Sequence, residues 1–379
     1  MGSIDGTRPS LVVSAGMSTY DIAVLPGDGI APEVVAEAQR VLDAAAGPVL
    51  NYREHPCGAN CYLETGDPLP PATVEACRDT DAVLLGAMGL PDVRWPDGTE
   101  MRPQVDLRFL LDLYAGVRPI YLYAEHHSPL KGYGAGDIDF IILRENVEGL
   151  FASMNGGIQV RDETAVDSMV ITRSGTERIS EYAFKLAADR QAERAANQRG
   201  ARETHVTCVD KANVFKSMAF FRHVFDGVAA GTDIHSDHAY VDAMSLHLVR
   251  RPESYDVMVT ENMYGDILSD LGAGLVGGLG MAPSGDIGVD AAVFQPSHGT
   301  APDIVGQGIA NPTATILSAA MMLRWLGHRH DDASAIAAAG RIDVAVTEVL
   351  IEPGTGTPDI GGTMKTEELG RAIAAAATH

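Results

Sequence analysis

The feature that most constrains this chain is a recurrent alternation of short apolar runs with amphipathic helical stretches. Asp21-Ile-Ala-Val-Leu25 is the first run, Pro26-Gly-Asp-Gly29 turns the chain, and Pro32 sits where a first-turn proline suits a helix. Val34, Val35, Ala38, Val41 and Leu42 then recur on one helical face. Further strands are expected over Ala82 to Leu85, Val117 to Tyr123, Phe140 to Leu143, Val206 to Val209 and Val257 to Thr260. Helices are expected over Glu177 to Arg199, Val241 to Val249, Gly265 to Val276 and Thr313 to Leu326. Apolar strands separated by helices need cover on both faces, so the pattern predicts an α/β architecture around a largely parallel, buried sheet. A chain of 379 residues has room for two such units.

Charge narrows the partners. The formal net charge is −23, from 28 basic and 51 acidic residues, and no long basic run exists to track a polyanion. Nucleic acid and an anionic membrane surface are therefore not expected partners. Cys57, Cys61, Cys77 and Cys208 are too few for a disulfide scaffold and form no C-x-x-C pair, so reduced thiols and a cytoplasmic location are expected. Residues 1–19 read as a flexible tail without the pattern of a secretory signal. The longest uncharged run, Ile304 to Leu323, is interrupted by Gln307, Gly308, Asn311 and Pro312, so it reads as a loop and a buried helix.

Four groups of residues carry chemistry. In Tyr264-Gly-Asp266-Ile-Leu-Ser-Asp270, carboxylates at i and i+4 project from one helical face and can share a cation. Asp242, at a strand-to-helix junction, is a third acid, and oxygen ligands alone suit Mg²⁺ or Mn²⁺ rather than zinc. Arg108, Arg118 and Arg144 stand near the ends of expected elements and suit bidentate binding of carboxylates. Lys211, just past an apolar strand, would have its ammonium disfavoured beside a metal and arginines, which prepares it for proton transfer. Finally, Gln295-Pro-Ser-His298-Gly-Thr300-Ala-Pro-Asp303, with Asn311 beyond, combines small residues for close approach with a carboxylate that can accept both hydroxyls of a ribose. The string Gly272-Ala-Gly274-Leu-Val-Gly277 spells G-x-G-x-x-G but follows an expected helix, so it is not read as a dinucleotide fingerprint.

Taken in order, Leu25-Pro-Gly-Asp-Gly-Ile30, Val117-Arg-Pro119, Arg144-Glu-Asn146, Asp210-Lys-Ala-Asn213, Tyr240-Val-Asp-Ala-Met244, Gly265 to Asp270 and His298 to Asp303 resemble the isocitrate/isopropylmalate dehydrogenase family of metal-dependent β-decarboxylating dehydrogenases. The resemblance implies a two-domain α/β/α fold with a central cleft, residues 20–113 with 277–379 forming a large cofactor-binding domain and 114–276 a smaller substrate and dimerisation domain. It implies a homodimer with shared active sites, in which Lys211 and Asp242 form the catalytic pair and reach the partner's cleft. Arg108, Arg118 and Arg144 would clamp a small hydroxy-acid substrate, Asp242, Asp266 and Asp270 would hold Mg²⁺ or Mn²⁺, and His298, Gly299, Thr300, Ala301, Asp303 and Asn311 would bind NAD. Asp303 stands where NADP-dependent relatives carry a basic residue, and its charge would repel a 2′-phosphate.

Two departures from the family pattern stand out. The tyrosine expected seven residues after Arg144 is Phe151, which can neither donate nor accept a proton, so Lys211 or water is expected to protonate the carbon left after decarboxylation. In the stretch that reads the substituent on the malate skeleton, isopropylmalate enzymes present leucines, whereas this chain has Arg102 and Gln104. These suit a polar or anionic substituent, as in tartrate, isocitrate, homoisocitrate or phosphonomethylmalate, and Gly136 to Phe140 resembles the tartrate/malate branch. The alternatives are a 3-isopropylmalate dehydrogenase and, from another class, a non-catalytic regulatory subunit.

Overall fold

The structure, a computed structural model, describes residues 18–154, 156–196 and 204–378. The strands are β1 (Thr19–Leu25), β2 (Val49–Glu54), β3 (Ala82–Leu85), β4 (Ala115–Tyr121), β5 (Asp139–Glu145), β6 (Ile158–Val160), β7 (Thr164–Val166), β8 (His205–Asp210), β9 (His235–Tyr240), β10 (Val257–Thr260), β11 (Pro283–Ile287) and β12 (Ala292–Pro296). The helices are α1 (Ala31–Ala44), α2 (Ala59–Thr65), α3 (Pro71–Asp79), α4 (Pro103–Leu110), α5 (Arg173–Ala196), α6 (Lys216–Ala229), α7 (Val241–Arg250), α8 (Asn262–Gly274), α9 (Thr313–His330), α10 (Ala333–Leu350) and α11 (Thr366–Ala376).

Ten strands form one sheet in the order β2-β1-β3-β12-β11-β4-β5-β10-β8-β9. The expectation of a largely parallel sheet holds on both flanks and fails in the middle: β11 pairs antiparallel with β12 and with β4, and β4 pairs antiparallel with β5. The β11 to β4 ladder is short, matching Gly285 to Val117, Asp286 to Gly116 and Ile287 to Ala115. It joins the flank built on β1 and β3 to the flank built on β10 and β8.

β3 and β10 are buried along their whole length, which explains why they read as unbroken apolar runs. Residues 1–17 of the expected tail lie outside the described residues, and Thr19 already belongs to β1. Of the expected helix from Glu177 to Arg199, residues 197–199 lie outside the described residues, while its start moves back to Arg173. The Gly272 and Gly274 pair closes α8, as expected of a helix end rather than a phosphate loop.

Candidate active site

On one face of the central strands lie three arginines, two of which share a single carboxylate. Arg118 lies mid-strand in β4, Arg144 near the end of β5 and Arg108 in the last turn of α4, and all three side chains are buried. Arg108 Nε and Arg118 Nη2 each donate to Asp286 on β11 at 2.9 Å. Asn146 Nδ2 and Gln295 Nε2 donate to the same carboxylate at 2.9 and 2.7 Å. Burial alone would push the Asp286 carboxyl up, but Arg108, Arg118 and these bonds outweigh it and hold the group well below the usual carboxylate range. Asp286 thus balances two buried cations and sets their orientation, leaving their remaining donors for a ligand.

Arg144 is held separately. Its Nε and Nη2 donate to Asn262 Oδ1 at 2.9 and 2.7 Å, and its Nη1 pairs with Asp266 in the first half of α8. Burial, then repulsion from Arg108, lowers its pKa to about 10. A Cβ added at Gly265 would lie 2.6 Å from Arg144 Cβ, so glycine is what lets α8 press onto β5 and bring Asp266 to the guanidinium. Phe151 completes the surround, with the Arg144 guanidinium carbon 4.9 Å from the ring centroid.

Asp266 and Asp270 follow one another along α8, and burial together with the charge of Asp266 raises the Asp270 carboxyl. Two carboxylates one helical turn apart, with oxygen donors only, suit a hard divalent cation. Among the described residues no three His, Cys, Asp or Glu side chains converge in a metal-holding group. Asp242, the third expected ligand, lies at the start of α7 and pairs with Lys211, whose ammonium also lies 5.9 Å from the Tyr240 ring. That bond from Lys211 keeps the Asp242 carboxyl below its ordinary value. Within one chain the expected site residues therefore fall into two groups, Arg108, Arg118, Arg144, Asp266 and Asp270 in one and Lys211 with Asp242 in the other.

The expected cofactor loop runs from β12 toward α9. At Gly29, φ is +62° and an added Cβ would fall 2.2 Å from Thr300 O, so the first turn of the chain buttresses this loop. Ile30 N donates to Thr300 O at 3.0 Å and Thr300 Oγ1 donates to Gly89 O at 2.7 Å. Ala301 is left-handed with φ +37°, and Asp303 is exposed in the short turn that follows. Asn311 Nδ2 donates to Asp359 at 3.1 Å. His298 Nε2 is buried with no hydrogen-bond partner among the described residues, and burial lowers the imidazole pKa. An orphaned ring nitrogen beside a glycine-shaped cradle and an exposed carboxylate fits a ribose and adenine.

In the substituent stretch, Arg102 Nη2 reaches the carbonyl of Met154 at 3.4 Å, while Gln104 Oε1 is buried with no hydrogen-bond partner among the described residues. Asp286, Asn262 and Asp359 were not singled out from sequence. The available signal was a lone acid between Gly285 and Ile287 in a strand with no other charged residue, because a buried carboxylate needs a cation.

The isocitrate/isopropylmalate dehydrogenase family model matches residues 21–373. The chain belongs to that family. It is 41% identical over 360 residues to the 3-isopropylmalate/3-methylmalate dehydrogenase of Methanocaldococcus jannaschii, covering 94% of this chain and 98% of that protein. It is 40% identical over 367 residues to the 3-isopropylmalate dehydrogenase of Thermobifida fusca, covering 94% and 97%. Among solved structures, isocitrate dehydrogenase from Methylococcus capsulatus matches with a TM-score of 0.82 and 36% identity, covering 95% of this chain and 100% of that one. A β-decarboxylating dehydrogenase from Thermococcus kodakarensis matches with a TM-score of 0.77 and 36% identity, covering 94% and 96%. Family membership places this chain among the NAD-dependent, divalent-metal-dependent β-decarboxylating dehydrogenases. The expected preference for a polar substituent receives less support than its alternative, since the two sequence relatives are a 3-isopropylmalate/3-methylmalate dehydrogenase and a 3-isopropylmalate dehydrogenase.

Proposed function

We propose that this chain oxidatively decarboxylates a 3-substituted malate with NAD and Mg²⁺ or Mn²⁺, and that the substituent is alkyl, as in 3-isopropylmalate. The observation that carries the reaction class is the buried cluster of Arg108, Arg118 and Arg144 beside Asp266 and Asp270. The alkyl substituent rests on the relatives and on Arg102, whose guanidinium reaches a backbone carbonyl. The unpartnered Gln104 Oε1 supports a second reading, a substrate with a hydroxyl-bearing substituent able to donate to it.

Asp266 and Asp270 of one protomer, with Asp242 of the other, would hold the metal, and His298 to Ala301, Asp303 and Asn311 would hold the cofactor. Bound there, the two supply Lewis-acid polarisation of the substrate oxygens and a hydride acceptor. The three arginines fix the substrate carboxylates, and their prior bonds to Asp286 and Asn262 leave little to reorganise on binding. Lys211, freed from its bond to Asp242 and having lost one ammonium proton to solvent, would act as a neutral amine. It would take the proton of the C2 hydroxyl while the C2 hydride leaves to the cofactor and the alcohol becomes a ketone. Loss of CO₂ from the carbon next to that ketone follows, and Lys211 or water returns a proton, since Phe151 cannot.

A homodimer with shared sites is supported by the pairing of Asp242 with Lys211 rather than with Asp266 and Asp270 within one chain and by exposed apolar side chains on α7, α8 and β6. Leu246 and Val249 on α7, Ile267 on α8 and Ile158 on β6 are all exposed. We take residues 20–113 with 277–379 and residues 114–276 as the two domains. A cytoplasmic location is supported by four free, buried cysteines. No helix among the described residues is long and apolar enough to cross a membrane.

The test is NADH formation with Mn²⁺ across 3-isopropylmalate, 3-methylmalate, D-malate, tartrate, isocitrate, homoisocitrate and phosphonomethylmalate. Highest kcat/KM on 3-isopropylmalate is expected. Preference for tartrate or another hydroxylated or anionic malate would replace the alkyl reading, and no NADH with any of them would remove the dehydrogenase reading itself.

A further inference from the structure

The opposite face of the same strands carries a cavity. Successive side chains in a strand point to opposite faces, so along β4 the partners of Arg118 on the far side are Val117, Pro119 and Tyr121. Along β5, Asp139 and Ile141 are likewise set against Arg144, and on β11 Ile287 is set against Asp286. These far-side residues floor a cavity of about 610 Å³. Tyr182 and Leu186 of α5 form one wall, and Met321 and Trp325 of α9 form the other. Arg324 on α9 meets Glu193 on α5 at 4.0 Å across the gap.

Its size falls inside the range of roughly 300–1,000 Å³ typical of small-molecule pockets. The walls are aromatic: the Tyr121 and Tyr123 rings meet edge to face at 4.8 Å, and Phe294 and Trp325 lie 6.1 Å apart. Such walls suit a flat ring. Most lining charges are already spent on neighbours: Arg190 on Asp139 and Asp256, Lys185 on Asp189, Arg324 on Asp343. Arg329 differs. Its guanidinium donates to the carbonyls of Val289 and Asp290 and lies 5.1 Å over the Trp325 ring, and among the described residues no carboxylate pairs with it. A guanidinium without a counter-charge at the edge of an aromatic cavity matches an apolar ring bearing one carboxylate.

We propose that this cavity binds a small aromatic carboxylate as an effector of the clamp on the other face. The coupling runs through one thickness of sheet. The short β11 to β4 ladder presents Val117 and Ile287 to the cavity and Arg118 and Asp286 to the clamp, so an occupant lodged between α5 and α9 bears on the strands that orient the arginines.

The experiment uses the full chain, with 2-naphthoate as probe and 2-naphthalenemethanol as its neutral counterpart, titrated by calorimetry. Saturable binding of 2-naphthoate is expected, weakened about tenfold, equivalent to about 1.4 kcal/mol, by Arg329→Gln while the alcohol is unaffected. Leu186→Arg, which fills the cavity, should abolish binding of both, and both variants should keep the wild-type far-ultraviolet dichroism and unliganded rate of NADH formation. Saturating 2-naphthoate should shift the KM for the hydroxy acid. No saturable heat up to about 10 mM, weaker than the affinities any specific pocket needs, would overturn the site. Binding that survives Leu186→Arg would overturn it too, and binding that leaves KM and kcat unchanged would overturn the coupling.

Discussion

The Arg144 guanidinium carbon lies 4.9 Å from the centre of the Phe151 ring, so the residue that breaks the family pattern sits against one of the three clamp arginines. The ring keeps a cation contact there but brings no proton to the site.

Phe151→Tyr should therefore preserve binding while adding a proton donor. An increase in kcat of up to about 10²-fold, the low end of what a placed general acid supplies, is expected with little change in KM. Steady-state kinetics with analysis of the product checks it. An unchanged kcat and product would assign the final protonation to Lys211 or water.

Removing the charge of Asp286 leaves two buried guanidiniums without their shared counter-ion. Asp286→Asn should destabilise the fold by about 3–5 kcal/mol, as breaking a buried pair generally does. The pH dependence has a definite sign. Because the folded-state carboxyl is held below its ordinary value, its contribution is complete above the unfolded pKa of about 3.9 and is lost as pH falls below it. Urea unfolding of both proteins from neutral to acid pH should show the gap between them narrowing only below about pH 4.

Metal binding can be read without turnover. Mn²⁺ at about a hundred times its Kd should stabilise the wild-type protein by about 2.7 kcal/mol in thermal unfolding, and EDTA should reverse the shift. Asp270→Asn should lose most of that shift. An equal shift in the variant would remove Asp270 from the metal site.

Asp303→Lys exchanges an exposed carboxylate for an ammonium at the expected ribose. The ratio of kcat/KM for NADP over NAD should rise by about tenfold or more, the equivalent of one ordinary charge contact. An unchanged ratio would mean that the adenosine binds elsewhere.

Shared sites make a complementation test possible. Lys211→Gln and Asp270→Asn homodimers should each be inactive, whereas a mixed dimer has one site with both residues intact. Unfolding and refolding the two together should return about a quarter of wild-type activity, from half the dimers being mixed and one site in two working. No recovery, with mixed dimers present by native mass spectrometry, would place both residues in the same protomer's site.

The parts of the fold that were legible are those in which burial alone decides. β3 and β10 occupy the residues expected of them, because four consecutive apolar side chains need cover on both faces. Strand direction was not legible, since an apolar run looks the same whichever way its neighbour runs, and so the antiparallel centre came only with the structure. α8 begins three residues before Gly265 because the Glu261 side chain accepts from Met263 N and Tyr264 N, a cap that reads in sequence as one more acid. In the site, the clamp arginines and the α8 aspartates were legible as motifs. Asp286 was not, because its partners lie 178 and 168 residues away in the chain.

That same separation orders the birth of the enzyme. β4 emerges from the ribosome long before β11, and β3 before β12, yet β11 and β12 are the strands that close the gap between them. At synthesis rates of about 5–20 residues per second, the nascent chain spends on the order of 10 s or more with Arg118 made and its carboxylate still unwritten. The clamp is thus a late product of translation, and a chain cut short before Asp286 would carry all three arginines and none of the shared counter-charge that binds Arg108 and Arg118 together.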